Sequence, residues 1–189
     1  AAGGVDVVVD MMHEKMDAKF CSADNWQALE LTYGNTNFSM IIVLPFASVE
    51  LNEFITDFDP EDWQEIAEMI DTAELTEALD IYLPKFKFEY EKELNDQLKA
   101  LGMIDAFRDD YGADLSGICD QSYLFVQFVK QNTFIEVNEE GTEAAAVTTI
   151  GIGYNSINEF AANRPFIFAI RERTTNALLF IGKVDNPLE

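Results

Sequence analysis

One stretch of the sequence, residues 139–156, restricts the possible fold more than any other. It follows a strand-like run at residues 134–137, and residues 144–158 contain neither a charge nor a proline. Loops are usually polar and rich in turn-forming residues, because they lie in water and change the direction of the chain. In an extended conformation, alternate residues here would form one small, mostly apolar face: Thr142, Ala144, Ala146, Thr148, Ile150 and Ile152. The stretch therefore resembles a strand with a face suited to burial.

Two ordinary interpretations of this stretch remain open from the residues alone. One is a plain strand followed by a loop, and the other is a helix with Thr142 as its N-cap. The helix is disfavoured because residues 147–153 are all β-branched residues or glycines, which lower helix propensity. An exposed, uncharged, β-rich segment also favours aggregation, which argues for a specific use.

Hydrophobic periodicity predicts a β-sheet-rich α+β chain with a few helices. Strands are predicted at residues 5–9, 26–33, 38–46, 79–83, 86–90, 124–137, 165–170 and 177–184. A short helix is predicted at residues 49–58. Asp59 and Pro60 then supply an N-cap and a first turn for an amphipathic helix, whose apolar face is Trp63, Ile66, Ala67 and Ile70. A third helical pattern, Leu94 to Leu101, ends at Gly102.

Charge and composition exclude several classes of function. The chain has 189 residues, 48% of them hydrophobic, which is typical of a globular protein. Its formal net charge of −23 repels phosphate backbones, so we expect no nucleic-acid partner. The longest apolar run, residues 40–47, is interrupted by Pro45 and is too short to span a membrane, so we expect no membrane partner. Cys21 and Cys119 lack zinc-site spacing and are predicted to be free, partly buried thiols, with a disulfide between them as the less favoured alternative.

The sequence predicts neither an enzyme nor a metal site. His13 is the only histidine, and no G-x-S-x-G motif is present. His13 is therefore interpreted as a surface or structural residue. Asp57, Asp59 and Glu61 superficially suggest a calcium loop, but Asp62 stands where an EF-hand needs glycine. No cofactor is expected.

Several motifs resemble those of the serpin family, in the same order along the chain. The hinge motif is E-E-G-T-E-A-A-A-V-T at residues 139–148. The others are Leu83-Pro84-Lys85-Phe86, Leu101-Gly102-Met103 with Ala106-Phe107, Ala113-Asp114-Leu115-Ser116-Gly117, Arg164-Pro165-Phe166, and Leu179-Phe180-Ile181-Gly182-Lys183-Val184. The resemblance covers essentially the whole chain, which is similar to the C-terminal half of a serpin.

The resemblance implies a serpin-like α+β fold in which residues 1–189 form the C-terminal part of a single domain. A mobile reactive-centre loop would occupy about residues 139–160, and the N-terminal half of the fold would be a missing partner. The implied function is suicide-substrate inhibition of a serine protease, or alternatively of a cysteine protease, in an extracellular or secreted setting. The implied hinge residues are Glu139, Gly141, Thr142, Glu143, Ala144, Ala145, Ala146 and Thr148.

The bait bond is placed by counting along the implied loop. Counting forward from Gly141 gives Asn155-Ser156, and counting back from Pro165 gives Tyr154-Asn155. Tyr154 is preferred as the specificity residue because an aromatic side chain suits a chymotrypsin-like pocket, whereas Ile152 would suit an elastase-like one. The rival within the family is a non-inhibitory chaperone or carrier, whose hinge tends to contain prolines or large charged residues. Gln131 stands where many serpins have a histidine, and glutamine can also donate and accept hydrogen bonds.

Overall fold

A computed structural model describes residues 7–110, 112–118, 124–139 and 158–188 of the chain. The chain divides into two compact units, residues 1–86 with 137–189, and residues 87–136. The strands are β1 (Met11–Ser22), β2 (Trp26–Tyr33), β3 (Phe38–Pro45), β4 (Leu75–Pro84), β5 (Phe86–Glu93), β6 (Lys130–Val137), β7 (Glu159–Ala161), β8 (Phe166–Glu172) and β9 (Leu178–Val184). The helices are α1 (Leu51–Asp57), α2 (Pro60–Thr72) and α3 (Asn95–Ala100), with a 3-10 turn at Asp105–Phe107.

The first unit is built on a seven-stranded sheet. Its strand order is β7-β4-β1-β2-β3-β8-β9. The pairing of β4 with β7 is parallel, and the other pairs are antiparallel. β3 is buried from Ser39 to Pro45, as its near-continuous apolar sequence predicts for a central strand. β1 is long and pairs with β4 near its start and with β2 near its end, so it joins the two halves of the sheet.

Helix α2 packs its apolar face against this sheet. Trp63, Ile66, Ala67 and Ile70 are buried, which confirms the predicted stripe. Burying one such large side chain stabilises the fold by roughly 1.5–3 kcal/mol. The predicted start is also confirmed: Asp59 Oδ1 accepts hydrogen bonds from the backbone N–H groups of Glu61 and Asp62, at 2.8 and 3.0 Å. The side chain of Asp62 accepts in return from the Asp59 N–H at 2.9 Å, which completes a capping box.

The second unit contains most of β5 and β6, which form a two-stranded sheet. Helix α3 follows β5, and its first residue, Asn95, fixes the segment that precedes β6. The Asn95 side chain donates to the Gln127 carbonyl at 3.0 Å and accepts from the Val129 N–H at 2.9 Å. Gly102 has φ +98°, a left-handed conformation that suits a glycine just after a helix.

The structure corrects two predicted strands. Residues 7–9 of the strand predicted at 5–9 precede β1 and are not in a strand, and Val8 is 95% exposed. The strand predicted at residues 124–137 is confirmed only from Lys130 onwards. Its earlier backbone groups bond elsewhere: the Val126 N–H donates to the Ala106 carbonyl at 2.8 Å. β-branched and aromatic composition favoured a strand at both places, but a strand forms only where a partner is available.

Candidate functional site

The predicted loop connects two points on the structure, and its two flanks can be examined separately. Of the predicted hinge residues only Glu139 is described. The rest of the predicted site lies outside the described residues: Gly141, Thr142, Glu143, Ala144, Ala145, Ala146 and Thr148 of the hinge, and Tyr154, Asn155 and Ser156 of the bait bond.

The N-terminal flank is held by an ion pair. Lys85 Nζ lies 2.7 Å from Glu139 Oε1, and the two side chains are 40% and 27% exposed. The hydrogen bond to Glu139 raises the pKa of Lys85, and the same bond lowers the pKa of Glu139. Both groups are therefore charged throughout the physiological pH range. The pair fixes the residue at which the predicted hinge begins.

Lys85 is itself positioned by its neighbours on both sides. Its N–H donates to the Asp10 carbonyl at 2.9 Å. The next residue, Phe86, is 3% exposed and contacts the rings of Phe166 and Phe168, with centroids 5.8 and 5.4 Å away. Rotation of the Lys85 backbone would pull Phe86 out of this aromatic cluster, so the packing of Phe86 restrains the backbone that carries the lysine.

Gly182 makes room for that cluster. A Cβ atom at this position would lie 2.8 Å from the Phe168 ring, closer than real contacts allow. This requirement explains a glycine in the middle of β9, where glycine otherwise weakens a strand.

The C-terminal flank is held by backbone pairing with β4. Asp80, Ile81 and Tyr82 pair with β7 in parallel register. The Asp80 N–H donates to the Asn158 carbonyl at 3.0 Å, and the Ala162 N–H donates to the Tyr82 carbonyl at 2.8 Å. Phe160 at the centre of β7 is fully buried. The chain therefore re-enters the sheet at Asn158.

The single histidine stabilises the same part of β4. His13 Nε2 lies 3.1 Å from Asp80 Oδ1, and the imidazole stacks on Tyr82 with a centroid separation of 4.3 Å. Lys15 Nζ donates to the other oxygen of Asp80 at 3.1 Å. Hydrogen bonds from His13 and then Lys15 lower the pKa of Asp80. These contacts are those of a structural histidine, as the sequence predicted.

Two other predicted features are placed by the structure. Arg164 Nε donates to the Pro45 carbonyl at 2.6 Å, and its burial lowers the pKa of the guanidinium. The chain after β7 is thereby fixed to the end of β3. Gln131 lies on β6, and its side-chain amide donates to Thr133 Oγ1 at 3.3 Å. It therefore takes part in a polar contact, as a glutamine replacing histidine can.

Sequence reasoning missed the two residues that hold the flanks, Lys85 and Asn158. Lys85 was visible only as part of a motif, and its partner is remote in sequence. Asn158 had a weak local signal, because it ends the uncharged run and is followed by Glu159.

Within the described residues, no group of three or more His, Cys, Asp or Glu side chains could hold a metal ion. No helix in this part of the chain is long and apolar enough to cross a membrane.

Comparison with known proteins gives one consistent family. The profile described as Serpin (serine protease inhibitor) matches residues 2–187. An uncharacterised serpin-like protein of Methanosarcina mazei is 40% identical, over 98% of this chain and 43% of its own length.

Two solved structures are also similar. The native structure of the thermophilic serpin tengpin has a TM-score of 0.71 and 34% identity, covering 94% of this chain and 46% of its own. Uncleaved ovalbumin has a TM-score of 0.78 and 28% identity, covering 95% and 44%. The chain thus spans less than half the length of these relatives.

Proposed function

The chain belongs to the serpin family, and from that premise we propose that it supplies the C-terminal half of a serine protease inhibitor that acts as a suicide substrate. The α+β fold, rich in sheet, agrees with that family. The observation that carries the proposal is the pair of fixed flanks. Glu139 is held by Lys85 and Asn158 by β4, and the predicted bait sequence lies between them.

The proposed mechanism follows from the residues between these flanks. A serine protease attacks the carbonyl carbon of Tyr154, the peptide bond to Asn155 breaks, and the Asn155 amine leaves. The protease remains bound as an acyl-enzyme on Tyr154. The hinge then inserts as a strand into the main sheet and carries the protease with it. Each inserted residue gains backbone hydrogen bonds that stabilise by roughly 0.5–1.5 kcal/mol net.

The N-terminal half of a serpin would complete this sheet and cover surface that the chain leaves exposed. Four consecutive apolar residues of β9 are 40–57% exposed: Leu178, Leu179, Phe180 and Ile181. Exposed apolar surface of this kind is typical of a protein–protein contact. We therefore propose the missing half of the fold as the partner of β9. The protein that contains both halves is called the complete protein below.

The test mixes the complete protein with chymotrypsin, pancreatic elastase, trypsin and subtilisin. A band at the summed mass that survives denaturation establishes the covalent trap. Mass spectrometry of the released peptide places the bait bond at 154–155 or 155–156. Tyr154→Ala should abolish the complex with chymotrypsin, whereas the control Asn155→Ala should retain it. Cleavage by every protease without a retained complex would contradict inhibition of these proteases.

A second candidate is a non-inhibitory serpin-fold protein, since the family includes such members and ovalbumin is a structural neighbour. The hinge composition favours the inhibitor, because residues 141–149 contain no proline and Glu143 is their only charged residue. The melting temperature decides between the two: loop cleavage should raise it sharply in an inhibitor and barely change it in a non-inhibitor. We also propose an extracellular or secreted location, where serine proteases, or alternatively cysteine proteases, would be the targets.

A further inference from the structure

Strand β4 contains a bulge beside the place where the predicted loop re-enters the sheet. Met16 pairs with Leu79 and Ala18 pairs with Thr76, so one residue of β1 faces two residues of β4. The two residues are Glu77 and Ala78. An inserted residue of this kind interrupts the ladder and twists the strand.

Ala78 has an unusual backbone for an alanine in a strand. Its φ is +53°, in the left-handed region that favours glycine. Such a conformation persists only where surrounding contacts enforce it. Here the Asp17 carboxylate supplies the contact, because Oδ1 accepts a hydrogen bond from the Ala78 N–H at 2.9 Å. Asp17 therefore satisfies the donor that the bulge removes from the ladder.

Asn158 contacts the bulge from the side of β4 that faces β7, opposite to β1. The Asn158 side-chain amide donates to the Glu77 carbonyl at 3.3 Å, and the Asn158 carbonyl accepts from the Asp80 N–H at 3.0 Å. Among the described residues, the regular parallel ladder between β4 and β7 begins next to it, at the pair Asp80–Glu159. The bulge thus coincides with the start of the ladder. Extending the ladder backwards along β4 would require a regular strand at Ala78 and Glu77.

We propose that Asp17, Ala78 and Asn158 form a ladder stop that fixes where the reactive loop joins the sheet. The proposal rests on the proposed inhibitory function and concerns how the bait bond is presented. The predicted bait bond is either Tyr154–Asn155 or Asn155–Ser156, and both bonds lie shortly before Asn158 in the sequence. A protease binds its substrate as an extended strand and needs that backbone unpaired. By ending the ladder at Asn158, the stop keeps the edge of β4 from pairing with the bait residues. The three residues are positioning residues, because none of them touches the scissile bond.

The first test measures hydrogen exchange in the complete protein over residues 158–162. Asp17→Ala should speed exchange there by about ten- to a hundredfold, the effect of losing one hydrogen bond to a charged group. Asp17→Asn keeps an acceptor oxygen and should restore slow exchange. Glu14→Ala removes a carboxylate from the same strand and is the matched control. Equal exchange in Asp17→Ala and Glu14→Ala would overturn the ladder stop, and so would acceleration spread evenly over the whole sheet.

The second test changes the bulge itself and follows loop cleavage. Deleting Ala78 restores a one-to-one register with β1, so the ladder should extend and chymotrypsin should cleave the loop roughly tenfold more slowly. Ala78→Gly accepts the left-handed backbone and should leave the cleavage rate unchanged. Unchanged cleavage in a folded deletion variant would contradict the proposal. If the deletion variant does not fold, the exchange result for Asp17→Ala decides.

The two proposals fail in different ways. A wild-type protein that traps no protease would overturn the inhibitory function, yet its hydrogen exchange would still show whether Asp17 holds the start of the ladder. A covalent trap that forms equally well with the bulge deleted would retain the inhibitory function and remove the ladder stop.

Discussion

Lys85 Nζ and Glu139 Oε1 lie 2.7 Å apart, so the residue that follows β4 holds the residue at which the predicted hinge begins. In the proposed mechanism, insertion of the hinge would start next to this contact. The pair therefore links the stability of the uncleaved protein to the first step of the proposed mechanism.

Reversing one charge of this pair should favour premature insertion. In the complete protein, Glu139→Lys should raise the rate of heat-induced loss of inhibitory activity by roughly two- to fivefold, since exposed pairs contribute little individually. The double variant Lys85→Glu/Glu139→Lys should restore the original rate. Glu91→Lys is the matched control, because it breaks the 2.7 Å pair with Lys130 elsewhere in the chain. An equal effect of Glu91→Lys would show that total charge, rather than this contact, matters.

The same pair predicts a pH dependence with a definite sign. The pKa of Glu139 is lowered in the folded state, so its contribution to stability is present above the ordinary value of 4.5. This contribution is lost as the pH falls through the lower folded pKa of Glu139. The pKa of Lys85 is raised, so its contribution is present below the ordinary value of 10.5 and is lost as the pH rises through the folded pKa. Double-mutant cycles at Lys85 and Glu139 should give constant coupling at neutral pH and weaker coupling at both extremes.

A charge at a hinge position predicted to face inward should convert the proposed inhibitor into a substrate. Ala144→Arg would place a guanidinium under the layer that covers the inserted strand, where burial of an unpaired charge is costly. We expect the number of inhibitor molecules consumed per trapped protease to rise by at least about tenfold. Glu143→Arg, at the neighbouring solvent-facing position, is the control and should change this number little. Similar values for both variants would contradict the alternation inferred for the hinge.

Removing Arg171 should destabilise the seven-stranded sheet. Its side chain is fully buried and lies 2.9 Å from Glu30 Oε1 and 2.6 Å from Asp71 Oδ1. Arg171→Met removes the guanidinium that pairs with the buried Glu30 carboxylate. We expect the free energy of unfolding to fall by about 3–5 kcal/mol.

Unfolding of the complete protein in guanidinium chloride measures the loss of stability in Arg171→Met. Arg173→Met is the control, because Arg173 also contacts Glu30, at 3.1 Å, but is 27% exposed. It should cost about 1 kcal/mol or less. The double variant Arg171→Met/Glu30→Met should recover much of the loss, and no recovery would mean that packing of the arginine stem dominates.

The thiol of Cys21 should react slowly with alkylating reagents. Burial raises its pKa from 9.0 to about 11, so less thiolate is present at pH 8. Two pKa units correspond to about a hundredfold lower thiolate fraction. The rate of iodoacetamide modification, measured in a Cys119→Ser variant, should increase as the pH rises towards 11. Modification as fast as that of a free thiol peptide would contradict the burial of Cys21.

Local patterns in the sequence were sufficient for several elements. The apolar run of β3, the apolar strands β8 and β9 and the capped, amphipathic helix α2 were predicted from neighbouring residues, and the structure confirms them. In each case the residues that determine the secondary structure lie within one strand or a few helical turns. The hinge and bait bond remain predictions from motif order.

Elements that depend on distant partners were missed or misplaced. β1 has no clean alternation, and it forms because β2 and β4 pair with its two parts. β7 is only three residues long, too short to give a periodic signal. Residues 124–129 have strand-like composition but bond to other segments instead.

The sequence by itself determined the family and the sheet-rich fold class, because motif order and periodicity are properties of neighbouring residues. It also predicts where the bait loop lies along the chain. Only the tertiary structure decided which groups hold the flanks of that loop. Lys85 meets Glu139, and Asp17 meets Ala78, through strand pairing between segments far apart in the chain. Such contacts depend on register, which a one-residue bulge can shift and which no local pattern records.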